Sequence, residues 1–423
     1  MNKLSNFDRK VFFFLVLTTI FKASIVFLFY QHVIVYDETQ ARIAPGYGWD
    51  QLVNSMRHGK YEMNIQSGLS DIYNFTSRSY RPPIYPIFLY ISFFATDGSH
   101  LLIILLQSII TSMVAFLGYK IIRMSSGGIH RALACIIILF LFPMNFLKSG
   151  TIDETPLLLV FLLLFLITFL KFLSNQKKRL FIFFSGVYLG ISALIRFTAN
   201  SVLVLVLPFL LLSKEIKAKR AKNTTIFLYS FFLLLVPWLA RNYLVYKKVV
   251  LSSGSNRIIF ITLSEDFIRS FPHQSIDEIE RKYLREFHQS NSYFSKLDEL
   301  ETDKEFLRLA LRKIRHSPGI LLKSILAKLK VFFPAKYYPA QNDAIRDFVF
   351  VFTYYSVLLF FVISFLFGFK RFKAESILLI IIIVATFIPS LLYFMLSRHF
   401  YLPMILMIIF SCLNFPLKRL LHG

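Results

Sequence analysis

The stretch Thr155-Pro156-Leu157-Leu158-Leu159-Val160-Phe161-Leu162-Leu163-Leu164-Phe165-Leu166-Ile167-Thr168-Phe169-Leu170-Lys171-Phe172-Leu173 carries one charge, Lys171, near its end. A run of about twenty such residues is the length that crosses a bilayer as a single helix. Comparable apolar runs cover residues 11–35, 100–122, 131–147, 180–195, 198–213, 225–243, 347–368, 375–396 and 400–415. Hydrocarbon cannot satisfy backbone polar groups, so helix is the expected form, whereas a barrel would show short alternating strands. Composition agrees: the 423 residues are 56% hydrophobic and include 49 Phe, too apolar for a soluble domain. The mean hydropathy of +0.59 points the same way. The expected fold class is all-α, a polytopic membrane helical bundle of about ten spans.

The formal charge of +24 is distributed in a way that sets orientation. Lys120 with Arg123, Lys177-Lys178-Arg179, the stretch Lys214–Lys222, Lys370-Arg371-Phe372-Lys373 and Lys418-Arg419 fall between apolar runs and mark the cytoplasmic side. Both ends then lie inside, in a cell inner membrane. No soluble basic domain is present, which excludes nucleic acid as a partner. The remaining basic charge suits anionic membrane lipids or a phosphate substrate. Cys135 and Cys412 both fall in apolar runs, so neither a disulfide framework nor metal-ligand spacing exists. No tightly bound cofactor is expected, and no ligand constellation indicates a divalent metal. The basic start (Lys3, Arg9, Lys10) and the apolar run Val11–Val35 read as a retained first span, too long for a signal-peptide core.

Five regions follow from this alternation. Residues 1–35 are a cytoplasmic tail and span one, 36–99 a first outer loop, 100–246 spans two to seven, 247–346 an outer helical segment, and 347–423 spans eight to ten with a cytoplasmic C-terminus. In the first outer loop, Trp49-Asp50-Gln51-Leu52-Val53 reads as an amphipathic interfacial helix, and Ile84–Ala95 as a short interfacial or re-entrant one. In the outer segment, helices are expected to open at Asp277-Glu278 and at Asp303-Lys304-Glu305, with a break at Pro318-Gly319. Ile320–Phe333, with Lys323, Lys328 and Lys330, is either a helix in the headgroup layer or a solvated packing helix. Lys22, inside span one, is expected to face the bundle and pair with an acid or with backbone carbonyls.

This topology gathers Asp37, Glu38, Asp50, Arg81, Asp153, Glu154, Arg196, Arg241 and Arg398 at one membrane surface. Carboxylates beside several arginines suit a reaction that deprotonates a hydroxyl and expels a phosphate: one group accepts the proton, and guanidinium forks neutralise the growing charge. Asp50 competes with Asp37 as the base, or simply faces water on its helix. Asp153, ahead of Thr155 and Pro156, also fits a helix N-cap.

Four stretches together resemble the C-type glycosyltransferase superfamily, in its bacterial branch related to protein O-mannosyltransferases and the lipid A aminoarabinose transferase. They are Asp37-Glu38, Arg81-Pro82-Pro83-Ile84-Tyr85-Pro86, the turn from Gly186 through Gly190 to Arg196-Phe197-Thr198, and Pro237-Trp238 with Arg241-Asn242-Tyr243. The resemblance implies an inverting transfer of one sugar from a polyprenyl-phosphate carrier to a hydroxyl of an envelope glycan, lipid or protein, on the extracytoplasmic side. Carried over by position, Asp37 is the general base, Glu38 helps orient the acceptor hydroxyl or binds the sugar, and Arg81, Arg196 and Arg241 are candidates for contacting the lipid phosphate. Tyr85, Glu154 and Arg398 join them as substrate-binding candidates. The sequence departs from the family in the spacing between Asp37 and Trp49, where Pro45-Gly46-Tyr47-Gly48 intervenes. Two other classes stay open at this point: an O-antigen-type polymerase or ligase, and a lipid-linked glycan flippase. The flippase fits less well because the ionisable residues cluster at one face and no internal repeat is visible.

Overall fold

The computed structural model describes residues 6–28, 49–64, 76–96, 100–125, 128–213, 216, 219–274, 276–333, 344–368, 373–393 and 397–415. These are helical nearly throughout, joined by one two-residue antiparallel ladder between Met63-Asn64 (β1) and Thr76-Ser77 (β2). Helix α1 is Asn6–Leu28, α2 is Trp49–Arg57 and α3 is Ile84–Thr96. The bundle continues with α4 (His100–Met124), α5 (Ile129–Leu141), α6 (Pro143–Gly150), α7 (Thr155–Ser174), α8 (Leu180–Ile195), α9 (Asn200–Leu212) and α10 (Arg220–Tyr246). The polar segment after α10, called the outer segment from the sequence expectation alone, holds α11 (Ser255–Thr262), α12 (Glu265–Ser270), α13 (Ile276–Ser290), α14 (Glu299–His316) and α15 (Gly319–Leu329). Helices α16 (Ala344–Gly368), α17 (Ala374–Leu392) and α18 (Tyr401–Asn414) close the chain.

Five helices, α4, α7, α10, α16 and α17, are long and apolar enough to cross a membrane, and the α5–α6 pair makes up to six. The other expected spans coincide with shorter apolar helices: the middle of α1, then α8, the stretch Phe197–Leu212, and α18. Helix α7 is the hub. It packs on α4, α8 and α18, and its Leu159, Leu163, Phe165, Leu166, Phe169 and Phe172 are all fully buried. At the periphery, α16 exposes Phe348, Phe352, Leu359 and Leu366, the pattern of a helix whose outer face meets lipid.

Three local features explain the packing. Gly186 and Gly190 put the backbone of α8 directly against α10: a Cβ on Gly186 would lie 2.0 Å from Ser230 Oγ and 2.3 Å from the Phe227 carbonyl. The expected single span 131–147 is instead two helices bent by 49° at Phe142. Pro143 has no N–H to continue the helical ladder, and Asn145 Nδ2 donates to the Leu139 carbonyl in its place. Lys22 does face the bundle, but its ammonium donates to the hydroxyls of Thr111 (2.5 Å) and Ser112 (3.2 Å) on α4 rather than to an acid or carbonyl.

The outer segment has its own small core of Phe260, Phe287, Phe294 and Phe306. Beside it lies a buried Arg257–Glu280 ion pair at 2.8 Å. Its long helix begins at Glu299, ahead of the expected Asp303, because Asp298 and Glu301 form a reciprocal capping box. Asp303 instead accepts from the Asn256 backbone (3.0 Å) and side chain (2.7 Å), at the start of α11. The segment meets the end of α17 through α15 and the turn after it. Lys328 donates to the Leu391 carbonyl (3.0 Å), and Phe332 packs on Phe387 (5.0 Å) near the end of α17.

Candidate active site

The site begins with Trp49, the first residue of α2, whose ring is 1% exposed. It makes an edge contact with Tyr85 (4.9 Å), and the Arg81 guanidinium lies over its ring at 4.6 Å. Arg81 is also 5.0 Å from the ring of Tyr80. Such contacts hold a guanidinium in a fixed plane. The prolines behind it have a structural role: Tyr61 Oη donates to the carbonyls of Arg81 (3.0 Å) and Pro82 (3.2 Å), fixing the approach to α3.

Arg241, on the last turns of α10, sits over the rings of Tyr61 (5.2 Å) and Trp238 (5.1 Å). Its Nη1 donates to the Arg78 carbonyl (2.7 Å) and its Nη2 to the Tyr61 carbonyl (3.1 Å). The guanidinium thus ties both sides of the first loop to the bundle. Burial holds the Tyr61 phenol well above its ordinary value, partly offset by Arg241 and Arg81, so Tyr61 stays a neutral donor.

Across from Trp49, Tyr85 receives a hydrogen bond from Gln107 Nε2 (3.2 Å) and feels the carboxylates of Asp153 and Glu154. Glu154 lies 3.9 Å from Arg196, the residue that ends α8. Asp153 pairs with the buried Lys148 and accepts from the Thr155 backbone N–H at 2.7 Å. Burial alone would raise the Asp153 carboxyl, but Lys148 and Thr155 outweigh it and hold it below the usual carboxylate range.

Tyr85, Trp49, Arg81, Tyr61 and Arg241 touch in turn, and the Glu154–Arg196 pair joins this belt through the electrostatic effect of Glu154 on Tyr85. Five of the sequence-predicted residues belong to it: Arg81, Tyr85, Glu154, Arg196 and Arg241. Asp37 and Glu38 lie outside the described residues. Asp50 stands on α2 next to Trp49, and Arg398 in the short helical turn Ser397–Phe400; the side chains of both lie outside the described residues.

Sequence reasoning missed Tyr61, Lys148 and Glu299. Glu299 is 7% exposed. It accepts from Ser77 Oγ (2.5 Å), the Arg78 backbone (3.1 Å), Tyr246 Oη (2.5 Å) and Ser253 Oγ. One usable signal was overlooked: the chain has only two tryptophans, Trp49 and Trp238, and each lies under an arginine. A separate cavity of about 520 Å³ on the outer segment shares no residue with the belt. It is lined by Glu265, Asp266, Tyr283, Arg312, Lys313 and His316 among others, and burial pulls the Lys313 ammonium down to about 8. Among the described residues, no three His, Cys, Asp or Glu side chains converge as a metal site.

The all-helical arrangement of the described residues has counterparts among solved structures. Solved structures that this chain is similar to include those of the oligosaccharyltransferase from Archaeoglobus fulgidus. These are the apo form (TM-score 0.53, 14% identity), the complex with Zn and sulfate (0.54, 13%), and AglB with an inhibitory peptide and a dolichol-phosphate (0.51, 13%). Each alignment covers 96% of this chain and 51%, 49% and 51% of the respective structure, so the chain spans about half the length of these proteins. At such identity the likeness is one of fold. The sequence matches no family model and no curated protein.

Proposed function

We propose that this protein is an inverting glycosyltransferase that moves one sugar from a polyprenyl-phosphate carrier to an acceptor hydroxyl. The observation that carries this reading is the arginine–aromatic belt, in which Arg81 lies over Trp49, Trp49 touches Tyr85, and Arg196 pairs with Glu154. The fold adds support, since one similar structure was solved with a dolichol-phosphate and a peptide. The proposed topology has ten spans, adding α1, α5–α6, α8, α9 and α18 to the five long helices. It places the site at the extracytoplasmic face of the inner membrane. The bacterial branch named by the sequence motifs belongs to the same proposal.

The carrier's tail stays in hydrocarbon while its phosphate meets Arg81 and Arg196. Asp37 takes the proton from the acceptor hydroxyl, with Glu38 orienting it; the oxygen attacks the anomeric carbon from the face opposite the phosphate. The C–O bond to phosphate breaks, and the guanidinium groups hold the released phosphate charge. Arg241, bound to two loop carbonyls, shapes the loop around this pocket. Acceptors of the glycan, lipid and protein classes all supply the required hydroxyl. No described residues are assigned to a metal, and titration with a chelator tests metal dependence directly.

A second reading comes from the neighbours' name: transfer of an oligosaccharide rather than one sugar. Mass spectrometry of envelope lipids, glycans and proteins, with and without this chain, separates the two by the mass added. For the mechanism, Asp37→Asn in liposomes with a labelled polyprenyl-phosphate sugar should cut turnover by about 100-fold or more, the scale of a lost general base. Retained turnover in Asp37→Asn, with the loss appearing in Asp50→Asn, moves the base to Asp50.

A further inference from the structure

We infer that the outer helical segment sets the position of Arg81 by gripping the residues immediately ahead of it, with Glu299, Ser253 and Gly254 as positioning residues. The inference rests on the reading of Arg81 as a donor-phosphate contact. Its physical basis is a register in which Ser77, Arg78, Ser79 and Tyr80 are each held from the same side. Glu299 accepts from Ser77 Oγ and from the Arg78 backbone N–H. Ser79 Oγ bonds Ser253 Oγ at 3.0 Å, and Ser253 in turn donates to Glu299. The ring of Tyr80 lies against Gly254, where a Cβ would come within 2.8 Å of Tyr80 Cδ2. Gly254 also has φ +82°, a left-handed conformation that other residues adopt only with strain.

The next residue is Arg81, whose guanidinium lies over the Tyr80 ring and over Trp49. Ser77 and Ser79 are fully buried, so their hydroxyls are committed to these contacts rather than to solvent. A carboxylate surrounded by donors is a rigid anchor, because losing its charge leaves those donors competing for poorer acceptors. The outer segment thereby acts on the belt without supplying a group to the reacting atoms. It fixes the guanidinium in the plane set by the two rings. A displacement on the order of 1 Å in such a group costs about 100-fold in rate.

The test uses the full chain in liposomes, with Trp238→Phe so that Trp49 alone emits. Ser253→Ala, Glu299→Gln and Gly254→Ala are compared with Arg81→Ala for Trp49 emission and for the kcat and KM of the donor. Each positioning variant should shift Trp49 emission toward that of Arg81→Ala and raise donor KM about tenfold, with a smaller change in kcat. Combined with Arg81→Ala, each should add little further loss, because the grip acts through that side chain. Gly254→Ala carries its own backbone strain, so the two polar variants decide the matter if it fails to fold. Unchanged Trp49 emission in folded Ser253→Ala and Glu299→Gln overturns the inference, as do losses that add fully to that of Arg81→Ala. If Arg81→Ala itself leaves transfer intact while the emission shifts persist, the phosphate role falls and the grip stands.

Discussion

The ion pair between Lys148 and Asp153 shows how the site's surroundings are held. Lys148 is 2% exposed and its ammonium lies 5.8 Å from the Tyr401 ring, so removing the carboxylate takes the opposite charge from a desolvated cation. Asp153→Asn should therefore destabilise the protein by about 3 kcal/mol, as broken buried pairs do, measured by thermal unfolding in detergent. The pH dependence has a definite sign. The Asp153 carboxyl is held below its ordinary value of 3.8, so its contribution is complete above that value and is lost as pH falls through the lowered one. The gap between the wild type and Asp153→Asn should stay constant from neutral pH down to 3.8 and close only below it. Arg81, Arg196 and Glu154 were legible in the sequence because each stands at the edge of an apolar run. Tyr61 was not, since its role comes from two carbonyls at the far end of the same loop and an arginine 180 residues away.

At the scale of elements, the close approach of α8 and α10 depends on glycine, and its limits are measurable. Gly186→Ala drives a methyl group into the Phe227 carbonyl and Ser230, whereas a Cβ at Gly190 meets its nearest backbone atom at 3.0 Å. Gly186→Ala should cost about 3 kcal/mol and Gly190→Ala about 1 kcal/mol or less, read from thermal midpoints of the two variants. Both glycines were visible as a four-residue repeat on one helix face. The bend at Pro143 had an equally plain marker, a proline inside an apolar run, which length alone obscured. Helix α15 shows the opposite balance. Its sequence fits two settings, and only the structure shows it docked on the end of α17 with Leu322 and Leu326 60% and 53% exposed. A bimane on Leu326→Cys should be quenched by brominated lipid rather than by aqueous iodide, placing that face in the headgroup layer; the reverse result places it in water.

For the molecule as a whole, helix class was readable because run length and backbone desolvation leave few alternatives. The union of the first loop with the outer segment was not readable. Its central contact joins Ser77 to Glu299 across 222 residues, and nothing local in either stretch announces the other. The proposed ten spans put the 175–179 turn and the outer segment on opposite sides of the membrane. Lys177→Cys and Lys282→Cys should then label from opposite faces of intact and opened cells, over a quiet background because Cys135 and Cys412 are buried. Labelling of both from one face rejects that topology.

Lys22 has a consequence for how the chain is made. A lysine in the interior of α1 raises the cost of inserting that helix alone by about 3 kcal/mol on the biological insertion scale. Its hydroxyl partners arrive only when α4 has been synthesised. The two helices therefore enter the bilayer most favourably as a pair, so the whole stretch between them must be translated before its anchoring helix is settled.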